Sequence, residues 1–172
     1  MITTEMINKL KAKIEKQEEA QKMTVEEIID DIIKSHHEKE RRAMDAILEK
    51  IKEYESKKKV VDDEKLMGIF GTFRRMSVEL ARHFEKEEYE VFPIMKAGEN
   101  SQDLFMKISE LEDEHGKTEG YIADITKDSE FFSYKEKDKK LMGIYEKMKA
   151  LFVDISEHEG KEDGVLFPKF EV

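Results

Sequence analysis

Apolar residues recur every three or four positions through most of the chain, a spacing that predicts amphipathic α-helices. Three series of residues follow this spacing most clearly, and in each of these stripes histidine or glutamate stands at a position where the spacing predicts a buried apolar residue. The stripes are Ile69, Phe73, Met76, Leu80, His83, Glu87 and Ile94; Leu104, Ile108, Leu111, His115, Thr118, Ile122 and Ile125; and Leu141, Ile144, Met148, Leu151, Ile155, His158 and Glu162. The pattern therefore predicts polar side chains buried inside a helical core.

Capping residues mark where the first two core helices begin. Thr24 and Glu27 can form a capping box, in which each side chain bonds the other residue's backbone N–H, so the first helix is predicted over 25–57. Asp62 or Asp63 can cap a second helix that ends near Gly98.

The last two helices are delimited in the same way. Ser101 can cap a third helix, which ends near Asp128. A second capping box, from Ser133 to Glu136, predicts a fourth helix that reaches about residue 163. We predict an all-α fold, an antiparallel up-down-up-down four-helix bundle over 24–172, with an additional N-terminal helix over 1–23 as an accessory segment.

Two glycines, Gly68 and Gly71, fall inside the second predicted helix. Glycine at such a position costs roughly 1 kcal/mol relative to alanine. We therefore expect tight packing around this part of the helix.

The chain is acidic and contains no cysteine. Its formal net charge of −10 argues against nucleic acid as a partner, because a phosphate backbone favours clustered Lys and Arg. The sequence has neither a long apolar run nor an N-terminal signal pattern, so we expect a cytoplasmic protein without a membrane partner. The lack of cysteine excludes disulfides, thiolate metal sites and iron–sulfur ligation.

One motif occurs twice in the chain. The pattern His-x-x-x-Glu-(Glu/Asp)-x-x-x-Phe-Pro begins at His83 and again at His158, an offset of 75 residues (158 − 83). A histidine and a carboxylate four positions apart lie on the same helix face and can reach one point beside the helix. The duplication indicates two pairs of metal ligands, His83 with Glu87 and His158 with Glu162.

The other histidines extend this set. The chain has five in all, and one lies on the helix before each motif: His36 or His37 in the first half and His115 in the second. Four helices can thus bring four imidazoles and two carboxylates to one centre. Two carboxylates buried without partners would cost several kcal/mol each, and two divalent cations would compensate for them.

Imidazole and carboxylate ligands without thiolate suit iron or manganese, and imidazole also binds zinc well. Structural zinc sites are normally closed and tetrahedral, whereas six ligands shared by two ions leave open positions if the glutamates bridge. The imidazole-rich set favours iron over manganese and zinc.

The chain resembles the hemerythrin-like (HHE cation-binding) domain family over residues 24–170, and within it most resembles the iron–sulfur cluster repair di-iron proteins. The segments that carry this resemblance are Ile28 to His37, His83 to Pro93, Glu112 to His115 and His158 to Pro168. The second and the fourth, which contain the duplicated motif, are specific.

The resemblance implies a non-haem di-iron centre, oxo- or hydroxo-bridged. Its terminal ligands would be His37, His83, His115 and His158, and its bridging carboxylates Glu87 and Glu162. The periodicity does not choose between His36 and His37, and it is the resemblance that favours His37. His36, rotated by about 100° on the helix, would then be a surface residue or would support a ligand.

The chain resembles the oxygen-carrying hemerythrins less. In those carriers the third helix brings a His-x-x-x-His pair and the fourth a His-x-x-x-x-Asp. Here Glu119 stands four positions after His115, whereas Asp163 keeps the second spacing after His158. The repair members often carry an extra N-terminal domain with cysteines, in place of which this chain has only residues 1–23.

Two further acids are candidates for hydrogen bonds to the ligand imidazoles. Glu79 lies four positions before His83 on the same face, and Glu114 immediately precedes His115. The alternative for each is a solvated glutamate in a glutamate-rich chain.

The resemblance implies a role in repairing iron–sulfur clusters damaged by nitric oxide or oxidants, through iron donation or redox reaction with NO or peroxide. The implied partners are small diatomic or peroxide ligands and iron–sulfur proteins. The alternatives are an enzyme that reduces NO or peroxide, and hemerythrin-type binding, storage or sensing of O₂. The oligomeric state cannot be read from the sequence.

Overall fold

In a computed structural model of the chain, residues 4–57 and 60–170 are described, and along them it is helical without strands. The α-helices are α1 (Thr4–Gln21), α2 (Val25–Asp31), α3 (Glu38–Lys57), α4 (Glu64–Lys86), α5 (Phe92–Lys96), α6 (Gln102–Asp128) and α7 (Lys139–Lys161). The predicted all-α class is confirmed. The outermost residues of the two predicted segments, 1–3 and 171–172, lie outside the described residues.

Three π-helical turns interrupt or extend these helices. Ile32–His37 joins α2 to α3, Glu87–Val91 joins α4 to α5, and Glu162–Leu166 continues α7. A π turn holds more residues than an α turn, and such turns are frequent at functional sites. Because the first π turn is continuous with its neighbours, one helical rod runs over 25–57, as the sequence predicts. Short 3₁₀ turns at Val60–Asp62 and Phe167–Lys169 complete the chain.

The predicted caps of the first three core helices are present. Thr24 and Glu27 form the reciprocal capping box before α2. Asp63, rather than Asp62, caps α4, since its side chain accepts from the backbone N–H of Leu66 at 3.0 Å. Ser101 caps α6.

The predicted start of the fourth core helix is wrong. Ser133 lies in a turn, where its hydroxyl donates to the carbonyl of Glu130, and α7 begins only at Lys139. Asp138 caps it by accepting from two backbone N–H groups. Residues Glu130, Phe131, Phe132 and Lys135 have left-handed backbone angles, with φ between 53° and 64°. A capping box at Ser133 would require a helical first turn, and these angles are incompatible with it.

The apolar core consists of two clusters. One is formed by buried residues from α3, α4, α7 and the end of α6, among them Phe70, Phe73 and Met148. The other is formed by residues from the end of α1, from α2, from the three π turns and the segments after the second and third, and from the start of α6, among them Phe92 and Phe167. The buried histidines and glutamates come between the residues of these clusters along each core helix.

The expected packing around Gly68 and Gly71 is not found. A Cβ atom added to either glycine would meet nothing within 4 Å. Gly98 is different, because its φ of +72° is a left-handed angle that glycine adopts at no cost. It follows the last residues of α5 and turns the chain toward Ser101.

The N-terminal helix α1 is mostly exposed. Ala20 is buried near its end, whereas Leu10 and Ile14 face solvent. A membrane crossing needs about 20 mostly apolar residues, and none of the helices that the structure describes offers such a segment.

Candidate metal centre

The six residues predicted as metal ligands converge in the interior of the bundle. They form two groups whose ligand atoms lie within 4.8 Å of one another: His37, Glu87, His158 and Glu162; and His83, Glu87, His115 and Glu162. All six are buried. We call this set the His/Glu cluster.

Both glutamates belong to both groups, because their two oxygens face opposite pairs of histidines. Oε2 of Glu87 lies 3.2 Å from Nε2 of His37, and Oε1 lies 3.2 Å from Nε2 of His83. Each oxygen of the carboxylate therefore faces a different pair of histidines. The two π turns begin at these glutamates, so each carboxylate enters the core where the helical spacing changes.

The second glutamate repeats this geometry. Oε2 of Glu162 lies 3.2 Å from Nε2 of His115, and Oε1 lies 3.2 Å from Nε2 of His158. The duplicated motif therefore produces two equivalent carboxylate positions.

Each pair of histidines combines one residue from each half of the chain. Nε2 of His37 lies 3.1 Å from Nε2 of His158, and the corresponding distance between His83 and His115 is also 3.1 Å. Neither half alone supplies both imidazoles of a pair.

The outer nitrogen of every cluster imidazole faces a carboxylate. The Nδ1 atoms of His37, His83, His115 and His158 lie 2.7, 2.7, 2.9 and 3.2 Å from oxygens of Glu88, Glu114, Asp163 and Glu40, respectively. An ionised carboxylate only accepts hydrogen bonds, so Nδ1 is the nitrogen that donates. Nε2 then presents its lone pair to the centre, as metal-binding histidines do.

The donor set fits a pair of metal ions. None of the four carboxylate oxygens of Glu87 and Glu162 accepts a hydrogen bond from the residues that the structure describes, although all four are buried. Neighbouring ligand atoms around a metal with bonds of about 2.1 Å are roughly 3 Å apart, and the cluster's closest contacts are 3.1 to 3.2 Å. Imidazole nitrogens with carboxylate oxygens suit iron, manganese and zinc.

His36 is not among the ligand-type residues of this cluster, although its ring stacks on that of His158 with centroids 5.7 Å apart. It is buried, with 7% of its surface exposed, and its Nδ1 lies 3.4 Å from Asp154. The expectation that it is a surface residue is therefore wrong, and the alternative, a residue that supports a ligand, agrees with its position against His158. The π turn Ile32–His37 ends at this pair of histidines.

The two acids considered as hydrogen-bond partners lie in different places. Glu114 accepts from His83 at 2.7 Å and also contacts Lys86. Glu79 is exposed, and its carboxylate accepts from the hydroxyl of Tyr121 at 2.8 Å. Of this pair, Glu114 is the one placed at a cluster imidazole.

Three acids were not predicted from the sequence as hydrogen-bond partners of the imidazoles: Glu40, Glu88 and Asp163. For two of them a signal was available, because Glu88 and Asp163 occupy the acidic position after each motif glutamate. Glu40 follows His36 by four positions, the spacing of the motif itself. It is fully buried, and both of its oxygens lie 3.2 Å from His158.

The acids around the cluster differ in protonation. The hydrogen bond from His83 lowers the pKa of Glu114 to about 2, against the opposing effect of partial burial. Burial raises the pKa of Glu40, and Asp154 adds to this rise, while the contact with His158 opposes it. Burial also raises the pKa of Glu159 to about 8, although His115 and His158 oppose the shift.

Three imidazoles of the cluster have raised pKa values. At His158 burial acts to lower the pKa, but the charges of Glu162 and Glu40 outweigh it and raise the pKa well above its usual value. Burial alone would lower the pKa of His83, but the charge of Glu87 and a hydrogen bond to Glu114 outweigh it and raise the value to about 9. Burial is likewise overcome at His115, where Asp163 and Glu162 raise the pKa to about 11. The negative charge of the cluster thus favours a bound cation, whether a proton or a metal ion.

The acids that contact the cluster imidazoles differ in their exposure to solvent. The side chains of Glu114 and Asp163, at His83 and His115, are 32% and 42% exposed. Those of Glu88 and Glu40, at the other pair, are 15% and 0% exposed. The edge at His83 and His115 is therefore nearer to solvent.

The residues at the oxygen-carrier positions do not add ligands to the cluster. Glu119 is exposed on α6, and Asp163 accepts from Nδ1 of His115. Four imidazoles and two shared carboxylates are accordingly the donors that the described residues bring together.

Comparison with known proteins identifies the fold family. Residues 28–170 match the family model described as the hemerythrin HHE cation binding domain, which is most of the chain. No curated protein sequence matches the chain.

Proposed function

Since the chain belongs to the hemerythrin HHE cation-binding family, we propose that its His/Glu cluster holds two non-haem iron ions. We further propose that the protein acts in the repair of iron–sulfur clusters damaged by nitric oxide or oxidants. The observation that carries the proposal is the sharing of Glu87 and Glu162 between two pairs of imidazoles.

Each iron ion would be held by two imidazoles and by both glutamates. His37 and His158 would hold one ion, and His83 and His115 the other. Two-histidine carboxylate sets leave positions open for small molecules on Fe(II). Bound iron would supply one-electron redox chemistry toward such ligands, or iron itself for transfer.

The protein's own residues set the environment of this chemistry. Glu88, Glu114 and Asp163 accept from Nδ1 atoms and hold the imidazoles in the tautomer that binds metal. Phe84 stacks on His37 with ring centroids 4.2 Å apart, which keeps that side of the cluster apolar and excludes water.

The partly exposed edge at His83 and His115 supports iron donation rather than permanent storage. Glu114 and Asp163 reach solvent there, so protons and small ligands can approach this pair first. NO, peroxide and iron–sulfur proteins remain the proposed partners, and the cytoplasm the proposed compartment.

We also infer the up-down-up-down order of the core helices and the division into an accessory segment, 1–23, and a bundle, 24–172. The order is supported by the two apolar clusters. The first core helix runs from the apolar cluster that contains Phe92 to the one that contains Phe70, and the second core helix runs back. The third and fourth core helices run in these same two directions in turn.

The first test is metal analysis of the chain purified without added metal. We expect iron in excess of manganese and zinc, with at least two ions per chain after anaerobic loading with Fe(II). Zinc as the dominant metal after expression in iron-replete cells would contradict the di-iron proposal.

The second test separates repair from its alternatives. The diferrous protein, prepared without air, is mixed with an apo iron–sulfur protein, and the proposal predicts iron transfer and recovery of the acceptor's cluster when sulfide is present. Reduction of NO or peroxide over many turnovers with a reductant would instead indicate an enzyme. A stable, reversible O₂ adduct without iron transfer would indicate a binding protein.

A further inference from the structure

A second group of buried metal-type ligands lies beside the His/Glu cluster. Imidazole and carboxylate atoms of His36, Glu40 and Asp154 lie within 4.8 Å of one another. Their exposed fractions are 7%, 0% and 6%. None of these residues is one of the six ligands proposed for the iron pair.

His36 and Glu40 repeat the spacing of the ligand pairs already described. They are four positions apart, as are His83 and Glu87. Asp154 comes from α7, on which it precedes His158 by the same interval. The third member therefore arrives from a different helix, as in the His/Glu cluster.

Unpartnered atoms inside this group point to a ligand. Nδ1 of His36 and Oδ2 of Asp154 are buried without a hydrogen-bond partner among the residues that the structure describes. The nearest contact between the two side chains, from Nδ1 to Oδ1, is 3.4 Å. Buried polar atoms without a partner destabilise the fold, and a bound cation would pair with both of these atoms.

The negative charges of Asp154 and Glu40 are only partly compensated by nearby cations. Lys39 pairs with Oδ1 of Asp154 at 2.7 Å, but its own side chain is 62% exposed. Lys161 approaches Nε2 of His36 at 3.1 Å and pairs with Asp31 at 2.5 Å. Glu40 contacts only the imidazole of His158 among the partners described for it.

We propose that His36, Glu40 and Asp154 bind a third divalent transition-metal ion, separate from the iron pair. Nδ1 of His36 and the carboxylate oxygens of Glu40 and Asp154 are the donors. Binding requires the tautomer of His36 that carries hydrogen on Nε2. Lys161, whose ammonium group only donates, then gives up its 3.1 Å contact with Nε2 and keeps its ion pair with Asp31. Glu40 links the third ion to the pair, since its carboxylate also accepts from His158.

The test counts tightly bound ions, with Zn²⁺ as a redox-silent probe that imidazole and carboxylate both bind. The metal-free chain is saturated with Zn²⁺, freed of excess by gel filtration and analysed by mass spectrometry. We expect three ions per chain for the natural sequence, and two for Asp154→Asn and for His36→Gln. Glu157→Gln removes the same charge from an exposed position on α7 and should keep three.

A double variant separates this proposal from the proposed function. Glu87→Gln with Glu162→Gln removes both shared carboxylates, so it should lose the pair and retain one ion, which adding His36→Gln removes. Two ions at saturation in the natural chain would overturn the third site. So would three ions in Asp154→Asn and His36→Gln, or loss of the whole pair in both of these variants while circular dichroism reports an intact fold.

Discussion

His37 and His158 bring their Nε2 atoms to 3.1 Å of each other across a separation of 121 residues. The outer nitrogens of both imidazoles donate to Glu88 and Glu40, so the two Nε2 lone pairs are directed at one point, where a shared proton or a metal ion removes their repulsion. The same relationship recurs between His83 and His115.

Replacing Glu87 with glutamine should disrupt both metal positions. One of its oxygens faces His37 and the other faces His83, so the neutral amide weakens a ligand of each ion. We expect the iron content after anaerobic loading and gel filtration to fall by at least one ion per chain. Glu85→Gln, an exposed change on the same helix, is the matched control. Unchanged iron content in Glu87→Gln would mean that this carboxylate does not bridge.

Glu114→Gln should weaken metal binding by about 10- to 100-fold, the usual effect of losing a charged partner of a ligand histidine. The carboxylate accepts from Nδ1 of His83 at 2.7 Å and helps to fix its orientation. Competition with a chromogenic chelator measures the change. Glu79→Gln, which alters an exposed acid bonded to Tyr121, should leave the affinity as it was, and equal losses in both variants would refute the assignment.

Stability after removal of metal by a chelator should depend on pH. The pKa of His83 is raised to about 9 in the folded chain, compared with 6.5 for an unperturbed histidine. A raised pKa stabilises the fold fully below about 6.5, and this contribution is lost as the pH rises through 9. We therefore expect the melting temperature of chelator-treated protein to fall between pH 6.5 and 9.5.

The metal-loaded protein is the control for that measurement. Metal ligands must be deprotonated, so binding strengthens as the pH rises. Its melting temperature should exceed that of the chelator-treated protein by a margin that grows over the same range. A constant margin would contradict competition between protons and metal at the cluster.

Asp138→Ala should destabilise the protein by about 1 kcal/mol, the typical value of an N-cap. The carboxylate accepts from the backbone N–H groups of Lys140 and Leu141, and it also accepts from Tyr54. Urea unfolding measures the difference. Ser133→Ala should have a smaller effect, because Ser133 lies in the preceding turn; a larger loss in Ser133→Ala would restore it as the start of the helix.

Gly68→Ala should raise the free energy of unfolding by about 0.5 to 1 kcal/mol. The position is in the interior of α4, and an added Cβ meets nothing within 4 Å. Gly98→Ala should have the opposite effect, since its φ of +72° costs roughly 1 kcal/mol for a residue with a side chain. Both values come from urea titrations, and a destabilised Gly68→Ala would reveal a contact that the structure lacks.

Much of the fold follows from periodicity and caps. The stripes through His83, His115 and His158 place these residues inside the bundle because each replaces a core residue at helical spacing. Thr24 and Ser101 mark helix starts through side-chain bonds that depend only on local sequence. The start of α7 was predicted wrongly because the turn before it contains residues with left-handed backbone angles, including Glu130 and Lys135. Glycine usually marks such angles in a sequence, and none of these residues is a glycine.

The choice between His36 and His37 could not be made from periodicity, and the structure gives the physical reason. Counting at 3.6 residues per turn aligns His36 with Ile29, Ile32 and Ile47, which are all fully buried. The π turn Ile32–His37 adds a residue to the helix, so the face that leads into the core moves on by one position. The position of such a π turn cannot be predicted from an apolar pattern that is counted at 3.6 residues per turn throughout.

The acids at the imidazoles illustrate a different limit. Glu88 and Asp163 each follow a motif glutamate, so a repeated pair of acids was visible in the sequence. Which histidine each one reaches depends on contacts between helices that no local pattern encodes. Glu88 accepts from His37 and Asp163 from His115, so both acids act on a helix other than their own.

In the His/Glu cluster, His37 is paired with His158 and His83 with His115, so each pair contains one histidine from each half of the chain. Neither repeat could therefore build the centre as a separate polypeptide. A single-repeat ancestor would have needed to dimerise to create it, and gene fusion would then have made that association permanent. Chain cleavage within residues 97–101, between α5 and α6, should recreate the earlier situation, in which two fragments recombine on addition of Fe(II).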